Sequence, residues 1–93
     1  MIDSGAENAL RSGKSLLPAG VTGVDGHFDR GDLVVVKSPA GVELARGLIA
    51  YNADDARLLI GRRSAEIEAI LGFRGPDEMI HRDDMALVLT TKE

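Results

Sequence analysis

The 93-residue sequence contains no cysteine and no tryptophan, and its aromatic residues are one tyrosine and two phenylalanines. The absence of cysteine excludes disulfide bonds, thiolate catalysis and cysteine-ligated zinc sites. With so few aromatic rings, the core must be built mainly from leucine, isoleucine, valine and alanine. A chain of this length forms one small domain, which buries only ~60 to 65% of the surface that its unfolded form exposes.

The sequence also lacks long apolar runs and an excess of basic residues. No segment approaches the ~20 apolar residues that span a bilayer, and the first ten residues do not resemble a secretory leader. We therefore expect no membrane association and a cytoplasmic location. Eleven basic and fifteen acidic residues give a net charge of −4, which disfavours strong generic binding to nucleic acid phosphates.

The beginning of the chain is predicted to lie outside the folded domain. Residues 1–6 include a glycine and a serine and are interpreted as a linker or a foreign tail, which leaves 7–93 as the domain. Ser4 and Glu7 have the spacing of a capping box, and the helix that follows would end after about two turns at Gly13.

Apolar and β-branched runs separated by turn residues predict strands. Leu16 and Leu17 precede a Pro-Ala-Gly sequence that cannot continue a helix, so both leucines are expected to anchor an extended segment. Gly47 is predicted to be a bulge or a point of close contact. The predicted strands cover residues 21–27, 33–36, 42–51, 79–81 and 85–89.

Two short helices are predicted between the third and fourth of these strands. The first is capped by Asn52 and ended by Gly61, and the second runs from Ser64 to Gly72. Each carries one apolar stripe, which suits packing on a sheet. Because the strands cluster and the helices are too short for repeated crossovers, we predict a mainly β, barrel-like domain with small helices covering its openings.

Motifs for nucleotide chemistry are incomplete. The Gly-Lys-Ser sequence that contains Lys14 lacks the earlier glycine of a phosphate-binding loop, since position 8 is asparagine. The triplet that begins at His81 resembles a kinase catalytic loop, but its companion asparagine, metal-binding aspartate and glycine-rich loop are absent, so it is interpreted as a polar turn. His27 lies far from His81 in sequence, and neither belongs to a cluster with metal-ligand spacing.

Paired acidic and basic residues are the remaining candidates for chemistry. The aspartate pairs at 54–55 and 83–84 adjoin helix starts or turns, so capping is preferred over cation binding. Arg57, Arg62 and Arg63 run from one predicted helix into the next, and with Lys14 they would present a positive strip to phosphates if the fold brings them together. The alternative is that these residues form an ordinary solvated face.

The segments together resemble a known family. The succession of residues 13–21, 26–32 and 45–48 resembles a PUA domain, the small pseudobarrel found in pseudouridine synthases and archaeosine transglycosylases. The later segments resemble the C-terminal domain of bacterial glutamate 5-kinases; they comprise 51–52, 60–64, 66–67, 70–73 and 81–85. The expected fold class is therefore mainly β with small helices, arranged as a PUA-like pseudobarrel.

This resemblance implies a function for the longer protein. The family transfers the γ-phosphate of ATP to the side-chain carboxylate of L-glutamate, with magnesium, as the first step of proline biosynthesis. Its catalytic residues lie in an N-terminal amino-acid-kinase domain, so no catalytic, cofactor or metal residue is expected in this chain. The expected partners are that kinase domain and, as open alternatives, a further copy of the chain or RNA.

The resemblance also implies where RNA would bind. PUA relatives that bind RNA use a surface near a glycine-rich loop and the adjacent helix, and Lys14 and Gly20 match that loop. Together with Arg62 and Arg63, they form the candidate RNA-binding set. Two functions therefore stand at this point: an accessory domain with a regulatory or assembly role in a kinase, and an RNA-binding module.

Overall fold

The computed structural model describes residues 1–88 and contains one three-stranded antiparallel sheet with short helices around it. The strands are β1 (Leu33–Lys37), β2 (Glu43–Leu48) and β3 (Met85–Leu87), in the spatial order β1-β2-β3. The helices are α1 (Ser4–Arg11), α2 (Ala53–Leu58) and α3 (Ile67–Leu71), with 3₁₀ turns at Pro18–Gly20, Ser64–Glu66 and Arg82–Asp84. The prediction of a mainly β domain with small helices is confirmed.

The first residues pack against the sheet. Ile2 is only 1% exposed, and its backbone N–H donates to the carbonyl of Lys37 at 3.0 Å. Asp3 caps α1, because its carboxylate accepts from the N–H of Ala6 at 2.7 Å. The structure therefore differs from the predicted tail over residues 1–6, since the burial of one isoleucine ties this segment to the domain.

The helix ends follow local capping chemistry. Helix α1 begins at Ser4 itself, so the predicted capping box with Ser4 as its cap is replaced by the Asp3 cap. Asn52 caps α2 as predicted, accepting from the N–H of Asp55 at 2.8 Å. Gly72 ends α3 with a φ of 82°, a left-handed conformation that glycine adopts without strain.

Two of the predicted strands are observed as extended segments that each form a single β-bridge. Among the residues that the structure describes, Val21 forms a bridge only with Ile2, and Ile80 only with Leu16. Leu16 is buried as predicted, whereas Leu17 is 47% exposed, so only one of the two leucines anchors this segment. The last predicted strand is observed as β3, and its residue 89 lies outside the described part of the chain.

The core is aliphatic, as the composition predicts, and lies between the inner face of the sheet and the helices. Ala45 of β2, Leu59 after α2, and Ile80 are each at most 1% exposed. Tyr51 is the one aromatic residue among the buried residues described, and it belongs to this cluster.

Gly47 is a point of close contact, which confirms one of its two predicted roles. A Cβ atom at this position would lie 2.7 Å from Cγ2 of Ile80 and 2.9 Å from the carbonyl oxygen of Asp84. The irregularity in the β1–β2 pairing is elsewhere, between Val36 and Lys37. The absence of a side chain at Gly47 therefore allows the turn before β3 to lie directly on β2.

Candidate functional site

Gly20 lies in a tight turn that packs on α1. Its carbonyl accepts from the N–H of Asp3 at 2.9 Å, and its N–H donates to the Leu17 carbonyl at 3.1 Å. A Cβ atom at Gly20 would lie only 2.5 Å from the Cβ of Ala6. The local geometry thus accounts for this glycine by its close approach to the helix, before any ligand is considered.

The two candidate arginines lie next to the same turn. The N–H of Gly61 donates to the Pro18 carbonyl at 3.1 Å, which holds the loop before Arg62 against the turn. Both arginine side chains are exposed. Arg62 lies 4.0 Å from the carboxylate of Glu66, which also accepts from the backbone N–H of Arg63 at 3.0 Å. One carboxylate therefore offsets part of the positive charge at this corner.

Lys14 is exposed beyond the end of α1. Its backbone N–H donates to the Ala9 carbonyl at 3.0 Å, and its side chain extends from the segment that leads into Leu16. The fold brings the loop of the arginines to the turn of Gly20.

The triplet that begins at His81 forms a polar turn before β3. The Nδ1 atom of His81 accepts from the N–H of Asp83 at 3.1 Å, and the N–H of Arg82 donates to Oγ of Ser15 at 2.8 Å. The His81 side chain therefore caps this turn, and the backbone of Arg82 ties it to Ser15, in agreement with its interpretation as a polar turn.

The other acidic pair, Asp54 and Asp55, lies in the first turn of α2. Asp54 lies 3.5 Å from the guanidinium of Arg57, and Asp55 provides the N–H that Asn52 caps. Arg57 also donates to the Gly26 carbonyl, which ties the loop before β1 to this helix. Among residues 1–88, no group of three or more His, Asp or Glu side chains is placed to hold a metal ion.

Tyr51 is a buried polar residue that the sequence reasoning did not single out. Its hydroxyl donates to the Pro76 carbonyl, and the ring lies against Gly75. Burial raises the pKa of the Tyr51 hydroxyl, and the nearby carboxylates of Asp77 and Asp55 act in the same direction. These contacts hold the loop at Gly75 and Pro76 against Tyr51.

An open groove of about 340 Å³ runs beside β1. All five residues of β1 line it, and Val24 and Phe28, from the loop before β1, add apolar side chains. Its polar side chains are those of Asp25, His27 and Lys37. No sequence motif predicted this groove, because the distance between the strand and the loop that line it is set by the tertiary fold.

The curated proteins that this chain resembles include glutamate 5-kinases of two bacteria. The chain is 61% identical over 87 residues to glutamate 5-kinase of Paramagnetospirillum magneticum, which covers 94% of this chain and 24% of that protein. It is 56% identical over 91 residues to glutamate 5-kinase of Rhizobium rhizogenes, covering 98% of this chain and 23% of that protein. The chain thus spans about a quarter of the length of the curated relatives it matches.

Solved structures share the fold. A conserved PUA domain protein from Thermoplasma acidophilum matches 85% of this chain and 44% of its own, with a TM-score of 0.59 and 26% identity. A PUA domain from Aeropyrum pernix K1 matches 86% of this chain and 39% of its own, with a TM-score of 0.62 and 22% identity. The PUA domain family model matches residues 1–71. The chain therefore belongs to the PUA domain family.

Proposed function

We propose that this chain is a non-catalytic accessory domain of a cytoplasmic glutamate 5-kinase, where it acts in regulation or assembly. The observation that carries the proposal is the high sequence identity of this chain, over nearly its whole length, to glutamate 5-kinases from two bacteria. The matched region makes up about a quarter of the length of each of those kinases. Phosphorylation of L-glutamate, and the binding of ATP and magnesium, are assigned to the amino-acid-kinase part of the longer polypeptide.

The surface chemistry of the domain supports a role in contacts. Its polar clusters at α2 and before β3 are used in local caps and turns. In contrast, large apolar side chains are exposed on the sheet, among them Leu33, Val35 and Leu48. Leu33 and Leu48 are directly paired across β1 and β2, so they form a continuous apolar patch that suits packing against another part of a larger protein.

Removal of the domain from the full-length kinase tests this proposal. We expect the truncated enzyme to retain ATP-dependent phosphorylation of glutamate, while its thermal stability, its oligomeric state or its response to an end-product inhibitor changes. Activity assays, analytical ultracentrifugation and thermal unfolding measure these properties separately. Complete loss of phosphorylation in a truncated enzyme that is demonstrably folded would contradict the accessory role, as would turnover by the 93-residue chain alone.

RNA recognition is the second candidate function. The observation in its favour is that Arg62 and Arg63 are exposed in a loop bonded to the turn of Gly20, the turn that resembles the RNA-binding loop of PUA relatives. The net charge of −4 and the contacts of Glu66 with this corner weigh against it. Binding at this corner would rely on a few local phosphate contacts.

A salt series with structured RNA tests this candidate. If the corner binds phosphates, affinity falls as salt rises, and the substitutions Lys14→Glu and Arg62→Glu abolish binding. Arg30→Glu is the matched control, because it makes the same charge change in an exposed turn on another part of the domain. Equal loss of affinity in all three variants would indicate a net-charge effect, and the proposed surface would be wrong.

A further inference from the structure

β1 is an edge strand, and its outer side is largely open. Within residues 1–88, it pairs only with β2 in the sheet. In an antiparallel ladder, alternate residues direct both backbone groups to the same neighbour. The Lys37 carbonyl accepts from Ile2, which lies on the side away from β2. By this alternation, the backbone groups of Leu33 and Val35 also point away from β2.

These outward groups lack partners in the described structure. Within residues 1–88, Ile2 supplies the one backbone hydrogen bond on that side of β1, and it reaches only Lys37. Proteins usually protect such an edge with charged residues, proline or a bulge, because an open apolar edge recruits other strands. In β1 the one charged residue, Lys37, and the irregularity in the pairing with β2 both lie at the end of the strand, whereas Leu33 is 64% and Val35 45% exposed.

The groove described above lies along this open edge. Ile2, which lies on the side of β1 away from β2, lines this groove together with all five residues of β1, so the groove reaches the open edge. Val24 and Phe28, from the loop before β1, add apolar side chains to its lining. Unpaired backbone groups with apolar side chains beside them are what strand addition requires.

We propose that this groove holds an extended, partly apolar segment of the same polypeptide, contributed by the part outside the PUA domain and added to β1 as a further strand. This inference rests on the proposed function, in which the chain is one part of a longer kinase. About three quarters of the length of the matched glutamate 5-kinases lies outside the matched region. An unguarded apolar edge needs lasting coverage, and a covalently attached segment at high effective concentration provides it.

Hydrogen exchange at single amides of β1 tests the proposal. The N–H groups of Val34 and Val36 face β2, so they exchange slowly in both the 93-residue chain and the full-length kinase. Those of Leu33 and Val35 exchange fast in the 93-residue chain. In the full-length kinase we expect both to slow by more than about tenfold, because the added strand accepts their hydrogen bonds.

Two proline substitutions provide a matched pair. Val35→Pro removes an outward N–H and no bond to β2, a position where an edge strand tolerates proline, so the 93-residue chain stays folded. In the full-length kinase it removes the protection of Leu33. Val36→Pro removes an inward N–H and lowers the melting temperature of the 93-residue chain itself.

The outcomes separate the possible occupants. Protection of Leu33 and Val35 only in the full-length kinase supports the proposal. Equally fast exchange in both proteins overturns it, and so does protection in the 93-residue chain that grows with concentration, because a second copy would then fill the groove. Exchange at these amides reports on the groove alone, whereas activity of the truncated enzyme tests the accessory role, so either can fail without the other.

Discussion

Replacement of Gly47 by alanine tests how closely β2 and the turn before β3 are packed. The added methyl carbon would lie 2.7 Å from Cγ2 of Ile80, 2.9 Å from the carbonyl oxygen of Asp84 and 3.2 Å from Cβ of Met85. All three distances are shorter than ordinary van der Waals contact. Two of these neighbours are a backbone oxygen and a Cβ atom, and the third belongs to a side chain that is 1% exposed, so none can move aside freely.

The size of the effect follows from two opposing terms. Overpacking of a well-filled core costs typically about 1 to 3 kcal/mol, and the rigid neighbours of Gly47 place this site near the upper end. Alanine recovers roughly 0.5 to 1 kcal/mol relative to glycine in a strand, because the unfolded chain loses conformational freedom. We therefore expect a net loss of about 2 kcal/mol in the free energy of unfolding, or a decrease of roughly 8 to 16 °C in melting temperature.

Urea unfolding followed by far-ultraviolet circular dichroism measures this loss, since the chain has no tryptophan. Gly23→Ala is the matched control, because a Cβ atom at Gly23 meets no atom within 4 Å and the residue has no positive φ. Its free energy of unfolding should stay within about 0.5 kcal/mol of the wild type. If Gly47→Ala were equally neutral, the close approach of the turn to β2 would be refuted.

Three further substitutions test the turn on α1, the N-terminal cap and the buried tyrosine. Gly20→Ala should lower the free energy of unfolding by about 1 to 3 kcal/mol, because its Cβ would lie 2.5 Å from the Cβ of Ala6. Ala6→Gly in the same chain should restore part of this loss. Additive effects of the two substitutions in a double-mutant cycle would contradict this contact. Asp3→Ala should cost about 1 kcal/mol through loss of the cap on α1, measured by urea unfolding, whereas a frayed tail predicts no change. Tyr51→Phe leaves the Pro76 carbonyl without its donor and should cost about 1 kcal/mol at neutral pH. The pKa of Tyr51 is raised above its ordinary value of 10.0 in the folded state, so its contribution to stability is complete below pH 10 and is lost as the pH rises through the folded pKa. Urea unfolding as a function of pH should show this alkaline loss of stability in the wild type but not in Tyr51→Phe.

The sequence predicted best where a single residue decides the local backbone. Asn52 caps α2 as expected, because its side chain needs only an N–H three residues along the chain. Gly72 ends α3 for the same kind of local reason. The apolar run of β1 was also located correctly, and the close contact at Gly47 was one of two roles predicted for that glycine.

Predictions that depended on distant partners were less complete. The segments at Val21 and Ile80 have strand-like composition, but each meets its partner at one residue only. Residues 1–6 have the composition of a tail, yet Ile2 finds a buried place beside Lys37 that no local pattern announces. Leu16 and Leu17 are equivalent in the sequence pattern, but only Leu16 is buried, where it forms a bridge with Ile80.

The sequence by itself determined the aliphatic core, the absence of thiol chemistry, the caps of the short helices and the resemblance to PUA domains of glutamate 5-kinases. These properties depend on composition, on contacts within one helical turn, or on the order of motifs along the chain. The tertiary structure decided the corner that joins Gly20 to the loop of Arg62 and the open edge of β1 beside its groove. Both depend on the distance between segments far apart in sequence, which is set by packing and which no local pattern encodes.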